Sequence, residues 1–191
     1  MIQMRCVILF CDVHEFSIAS VALGDRLPGF IQDFYQTAGE RIVSAHGTIM
    51  KYMGDMIFAL FADKAELPAV RCALEMRSDF AALASRWKLP APTELEVGIG
   101  SGAVARGTFG HPSHLEEDAF GEAVNVVASI CHHRGVAITE SVREKLAGAF
   151  PLTRLPPRKL KWRNDPVELW AVSEAAPSPG WAPRSTPAGS R

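Results

Sequence analysis

The segment Thr48-Ile-Met-Lys-Tyr-Met-Gly-Asp-Met-Ile-Phe-Ala-Leu-Phe61 constrains the fold more than any other stretch of the chain. Two apolar, β-prone runs flank Gly54-Asp55, and that pair offers the left-handed backbone freedom a tight hairpin turn needs. Two antiparallel strands are therefore expected to meet at Asp55. What precedes them narrows the choice further. Residues 5–11 are continuously apolar, as expected of a strand buried on both faces. From Leu27 to His46, Phe30, Ile31, Phe34, Ala38, Ile42 and Val43 recur at three- and four-residue steps, which predicts an amphipathic helix ended by Gly47.

A second helix is expected from about Leu67 to Trp87, with Val70, Ala73, Leu74, Met76, Phe80 and Leu83 inward and the prolines at 90 and 92 as its stop. A strand from Leu95 then turns into a glycine-rich segment that runs through Gly107 and Gly110. A third helix is read from Phe120 to His133, a short strand over Val136–Thr139 and a short helix from Glu140 to Ala149. A basic hairpin or strand pair over Arg158–Val172 closes the pattern. The order β-α-β-β-α-β-α-β is that of an α+β fold, a ferredoxin-like βαββαβ sandwich with C-terminal αβ additions. After Ala175 the composition falls to Pro, Ser, Ala and Gly, so residues 1–175 are expected to form one domain and 176–191 a flexible tail.

The 191 residues, 48% of them hydrophobic, are enough for a real core, and a net charge of -1 gives no footprint for nucleic acid or an anionic membrane. A polyanionic ligand must then be held by local groups. The four cysteines show no Cys-x-x-Cys spacing, which points to a reducing cytoplasm. Arg5 interrupts the first apolar stretch, and no run approaches the ~20 residues needed to span a membrane. A soluble, cytoplasmic chain is expected, with no signal peptide and no sensor domain before the first strand.

Asp12 ends the first apolar run and Asp55 sits at the hairpin tip. Two carboxylates so placed on neighbouring strands could hold a pair of Mg²⁺ ions for in-line displacement at phosphorus. Each also has a plainer reading, since Asp at strand ends and in turns often bonds local backbone. The glycines from 98 to 110 lack both the G-x-G-x-x-G order and the Walker lysine, so tight strand packing explains them as well as a phosphate cradle does.

The joint pattern resembles the catalytic domain of the class III nucleotidyl cyclases over roughly residues 5–172. Leu9-Phe-Cys-Asp-Val-His-Glu-Phe-Ser17 is similar to that family's L-F-x-D-I-x-G-F-T, and His46-Gly-Thr-Ile-Met-Lys-Tyr-Met-Gly-Asp55 to H-G-G-x-x-x-K-x-x-G-D. Val97-Gly-Ile-Gly-Ser-Gly102, Asp118-Ala-Phe-Gly-Glu-Ala-Val-Asn125 and Lys161-Trp-Arg-Asn-Asp-Pro-Val-Glu-Leu-Trp170 match further motifs in the same order. The resemblance implies conversion of ATP to 3′,5′-cyclic AMP and pyrophosphate at sites shared across a head-to-tail homodimer. Asp12, Asp55 and the backbone carbonyl of Val13 would hold two Mg²⁺ or Mn²⁺ per site. Lys51 and Asp118 of the partner chain would read the base, as a donor and acceptor suited to adenine. Asn125 would orient the ribose and Lys161 would contact the terminal phosphates.

Two positions depart from the family pattern. Ser129 stands where the resemblance places a transition-state arginine, one helical turn after Asn125, and Glu15 stands where the first motif has Gly. Loss of such an arginine is worth ~10²- to 10³-fold or more in rate. On an ideal helix Asn125, Ser129 and His132 share a face, with His133 beside it and Arg134 nearly opposite, so His132 or His133 is a candidate replacement cation. Other readings share the fold: a cyclase for a pyrimidine or guanine nucleotide, a heterodimer whose second chain donates the arginine, or a non-catalytic nucleotide-binding regulatory module.

Overall fold

A computed structural model describes residues 1–173 of the chain; the expected tail over 176–191 lies outside the described residues. In chain order the first half consists of β1 (Ile2–Val13), α1 (Phe16–Leu23), α2 (Leu27–Ser44), β2 (Thr48–Met53), β3 (Met56–Phe61) and α3 (Glu66–Trp87). The second half consists of β4 (Leu95–His111), β5 (His114–Phe120), α4 (Glu122–Ile130), β6 (Val136–Thr139), α5 (Glu140–Arg143), β7 (Leu152–Arg158) and β8 (Val167–Val172). One sheet runs in the order β2-β3-β1-β4-β6-β8-β7, and β5 pairs with the far part of β4. Its first four strands, with α2 and α3, are the ferredoxin-like βαββαβ unit read from the sequence, and the rest is the αβ addition.

β1 explains why this sheet is closed on both sides. Val7, Leu9, Cys11 and Val13 join the cluster formed with Phe30, Phe34, Met76 and Phe80 of α2 and α3. Cys6, Ile8 and Phe10 point the other way, into a smaller cluster with Phe58, Leu60, Val124 and Val127. The period of two thus supplies two cores, and the continuous apolar run is its sequence signature. Phe10 and Phe58 stack with centroids 4.5 Å apart, a pair worth about 0.5–1.5 kcal/mol beyond the area it buries. All four cysteines are free and buried.

The glycines of β4 have a packing role. An added Cβ at Gly98 would lie 2.9 Å from the Cys131 backbone nitrogen, at Gly100 2.6 Å from Val127 Cγ2, and at Gly102 2.5 Å from Ala123 Cβ. Alternate residues of one strand face are bare so that α4 can lie directly on the sheet.

Several boundaries differ from the sequence reading. The left-handed residue after α2 is His46, at φ 61°, and Gly47 is needed for space instead, since a Cβ there would meet Ile42 and Phe61 at 2.8 Å. Val43, read as inward, is 61% exposed. The helix expected to reach His133 ends at Ile130, because the chain must turn into β6, whose preceding Gly135 accepts a hydrogen bond from the Val97 amide at 2.9 Å. The helix expected to reach Ala149 spans only Glu140–Arg143. α1 and β5 were not foreseen. The closing hairpin begins earlier, at Leu152, so Lys159, Lys161 and Arg163 lie in its connection rather than on a strand.

Candidate active site

The end of β1 and the β2–β3 turn are held side by side by strand pairing, in which Cys11 stands opposite Ile57. Gly54 takes φ 66°, as the turn requires, and the Tyr35 hydroxyl donates to its carbonyl at 2.5 Å. Tyr35 in turn stacks on Tyr52 at 4.1 Å, so the turn that carries Asp55 is clamped from α2. Asp12 continues the Cys6-Ile8-Phe10 face beyond the point where apolar cover ends. Burial first, and then the charge and close approach of Asp12, push the Asp55 carboxyl up to about 6. Two carboxylates in mutual repulsion are a donor set that gains most from a hard divalent cation, so the residues present fit the metal pair that the resemblance implies. Val13, whose backbone carbonyl the resemblance adds to this donor set, is buried and is the last residue of β1, next to Asp12.

His132 and Glu96 complete this corner. His132 Nδ1 lies 2.9 Å from Asp12 Oδ2. It does so from the turn after α4, not from the helical face on which the sequence reading placed it. Glu96 is paired in register with Asp12 across β1 and β4, is 3% exposed, and has its carboxyl raised by burial. The sequence reading passed over Glu96. Its signal was positional: it occupies the same alternating face as Gly98, Gly100 and Gly102, where only residues beneath a closely packed element belong. His133 is held below the ordinary imidazole range by burial, which works against a cationic role for it. Arg134 turns to Glu94, at 2.5 Å.

A second constellation lies where β2 meets the β4–β5 hairpin. Lys51 Nζ donates to Asp118 Oδ2 at 2.6 Å and stands 3.6 Å from Glu116. The Asp118 bond raises the Lys51 ammonium above its ordinary value, so it is charged throughout the physiological range. These residues line a cavity of about 210 Å³ with Phe109, Gly110 and His114. Asp118 is therefore a strand residue on β5 rather than part of the start of a helix.

Asn125 is exposed on α4, and Lys161 is exposed in the β7–β8 connection. Neither joins the Asp12–Asp55 corner through a hydrogen bond among the described residues. Ser129 donates its hydroxyl to the Val126 carbonyl at 2.6 Å, a local bond within its own helix. Glu15 adopts φ 57° just before α1, which accounts for a glycine preference at that place. Its carboxylate is 44% exposed and 3.8 Å from His14 Nε2.

Paired carboxylates at a strand end of an α+β sheet, with a lysine–carboxylate pair on the neighbouring hairpin, are the arrangement that the resemblance to the nucleotidyl cyclases implies. No protein-family model matches the chain. The chain is 30% identical over 186 residues to an adenylate cyclase of Anabaena cylindrica, an alignment covering 88% of this chain and 36% of that protein. It thus spans about a third of that relative's length. The adenylyl cyclase CyaB from P. aeruginosa superposes with a TM-score of 0.85 at 20% identity, covering 92% of this chain and 98% of that one. The guanylyl cyclase Cya2 gives 0.78 at 23% identity, covering 91% and 95%. In sequence and in fold the chain is similar to the class III nucleotidyl cyclases, and its fold is that of their catalytic domain.

Proposed function

We propose that this chain is a class III nucleotidyl cyclase domain that converts ATP to 3′,5′-cyclic AMP and pyrophosphate as a head-to-tail homodimer. The observation that carries the reading is the convergence of Asp12 and Asp55, close enough to push the Asp55 carboxyl up to about 6. Asp12, Asp55 and the Val13 carbonyl would hold two divalent cations, Mg²⁺ or Mn²⁺. Bound there, such ions supply charge neutralisation to the triphosphate and acidify the ribose 3′-hydroxyl. The 3′-oxygen attacks the α-phosphorus in line, its proton leaves to solvent, and the bond to pyrophosphate breaks.

The Lys51–Asp118 pair supports adenine as the base, because an ammonium donor and a carboxylate acceptor match adenine N1 and its N6 amino group. The preformed bond at 2.6 Å orients both groups before substrate arrives. Asn125 and Lys161, exposed and uncommitted within the chain, are free to serve the partner's nucleotide as ribose and phosphate contacts. Leu115, Phe120 and Trp162 are each half or more exposed near these elements, apolar surface that a dimer would cover.

Ser129 favours a second reading of the same fold. Its hydroxyl is spent on the Val126 carbonyl and carries no charge to offset that of the transition state. Turnover is therefore slow, or the chain is a nucleotide-binding regulatory module. Assay of ATP, GTP, CTP and UTP with Mg²⁺ and with Mn²⁺, product identification, and Asp55→Ala as control separates these outcomes. Cyclic AMP formation abolished by Asp55→Ala supports the cyclase. Tight ATP binding without any cyclic product supports the module, and a pyrimidine or guanine product would displace adenine.

A further inference from the structure

Glu96 is the least expected side chain in the core. It is 3% exposed, and its Oε1 accepts no hydrogen bond although His14 Nδ1 lies 2.9 Å away. Buried carboxylates normally have such partners, because burial without them strongly disfavours the charged form. Strand register sets Asp12 opposite Glu96, and His132 closes the third side through its 2.9 Å approach to Asp12. One carboxylate oxygen each from Asp12 and Glu96 and one ring nitrogen of His132 all lie within 4.8 Å of one another.

We propose that Asp12, Glu96 and His132 form a binding site for a zinc-type transition-metal dication, separate from the all-oxygen Asp12–Asp55 pair but sharing Asp12 with it. The ligand chemistry selects the ion. An imidazole nitrogen adds little for Mg²⁺, which prefers oxygen donors, and much for Zn²⁺ or Co²⁺. Ligand atoms around a tetrahedral zinc are roughly 3.4 Å apart, so the three groups need only small side-chain rotations from their present spread. His132 has the freedom to make them, since its side chain is 55% exposed and lies beyond the end of α4. The protein supplies three ligands, and the exposed side leaves a position for water.

Sharing Asp12 gives the site a consequence. An ion held by Glu96 and His132 draws Asp12 away from Asp55, so zinc-type ions antagonise Mg²⁺ at the nucleotide site. That consequence rests on the cyclase reading; the binding itself does not.

The test uses the whole, nucleotide-free chain, with Co²⁺ followed by its visible absorption and Zn²⁺ by calorimetry. Wild type is expected to bind one ion per chain. His132→Ala and Glu96→Gln should each weaken binding by about 10-fold or more and change the Co²⁺ spectrum, whereas Asp55→Asn should keep both. His132 is exposed, so its variant is not expected to disturb folding, and a thermal melt of each protein checks this. Wild-type affinity and spectrum in both His132→Ala and Glu96→Gln would overturn the proposal. So would loss of the ion in Asp55→Asn, which would place it in the aspartate pair, or a thiolate charge-transfer band, which would place it on Cys131. No turnover is read, so an inactive enzyme with an intact Co²⁺ site sinks only the cyclase reading, and an active one without the site sinks only this inference.

Discussion

Asp55 carries charge at a cost that the rest of the fold imposes. Its ordinary value of 3.8 is raised to about 6 in the folded chain, by burial and then by Asp12. Between these values the folded protein keeps a proton that the unfolded chain has lost, so its contribution to stability is full below about pH 4 and is lost as pH rises through about 6. Metal-free Asp55→Asn should accordingly be more stable than wild type at pH 7.5, by about 1–2 kcal/mol in denaturant unfolding after allowance for solvent screening. Added Mg²⁺ should raise the melting temperature of wild type and leave Asp55→Asn nearly unmoved. Base reading is tested one residue at a time: Asp118→Ala should lower kcat/KM for ATP by about 10- to 100-fold, the worth of a charged hydrogen bond. An equal loss with GTP would assign Asp118 to scaffold rather than to recognition. That Asp12 meets Asp55 and Lys51 meets Asp118 was legible because each sits in a motif of several residues. Glu96 was not, since its importance comes from the register of two strands 84 residues apart in number, and no local spacing encodes that.

The bare face of β4 shows how an element sets the site. Gly98→Ala adds one methyl group, yet it meets the backbone of Cys131 and the Val127 carbonyl at 2.9–3.0 Å, atoms that cannot swing aside. α4 must lift, carrying His132 from Asp12. A destabilisation of about 1–3 kcal/mol in denaturant unfolding is expected, together with loss of Co²⁺ binding in refolded protein. An unchanged Co²⁺ spectrum would mean that the turn after α4 finds Asp12 independently of the helix. Long amphipathic elements such as α2 and α3 were readable because two or more turns of a 3.6-residue period leave no competing pattern. β5 was not. Its Leu115-Glu-Glu-Asp stretch has no alternation, because as an outer strand it buries little besides Ala119. α4 was overextended for the opposite reason: Cys131 is fully buried, so the apolar signal continues after the helix itself has stopped.

At the scale of the molecule, the decisive prediction concerns sharing of residues between chains. If Asp55 serves one chain's metals while Asn125 serves its partner's nucleotide, Asp55→Ala and Asn125→Ala are each inactive alone. Mixed in equal amounts they form heterodimers with one intact site, and activity should return to about a quarter of wild type. No recovery on mixing, at concentrations where wild type is active, would confine each site to one chain. The βαββαβ unit and its two-sided core followed from the strand and helix sequence, whereas the proposed pairing between chains depends on surfaces that carry no periodic signal. The four buried cysteines add an experimental opportunity. Cys6 is pushed up to about 11, and Cys72 and Cys131 to about 12, in each case mainly by burial. With Cys11 fully buried as well, the native chain should show almost no rapid reaction with a thiol reagent, and four equivalents once unfolded. The surface thus offers no competing thiol, and a lone cysteine introduced at Trp162 or Lys161 would be a clean attachment point for a cross-linker or spin label that measures the two chains of the proposed dimer against each other.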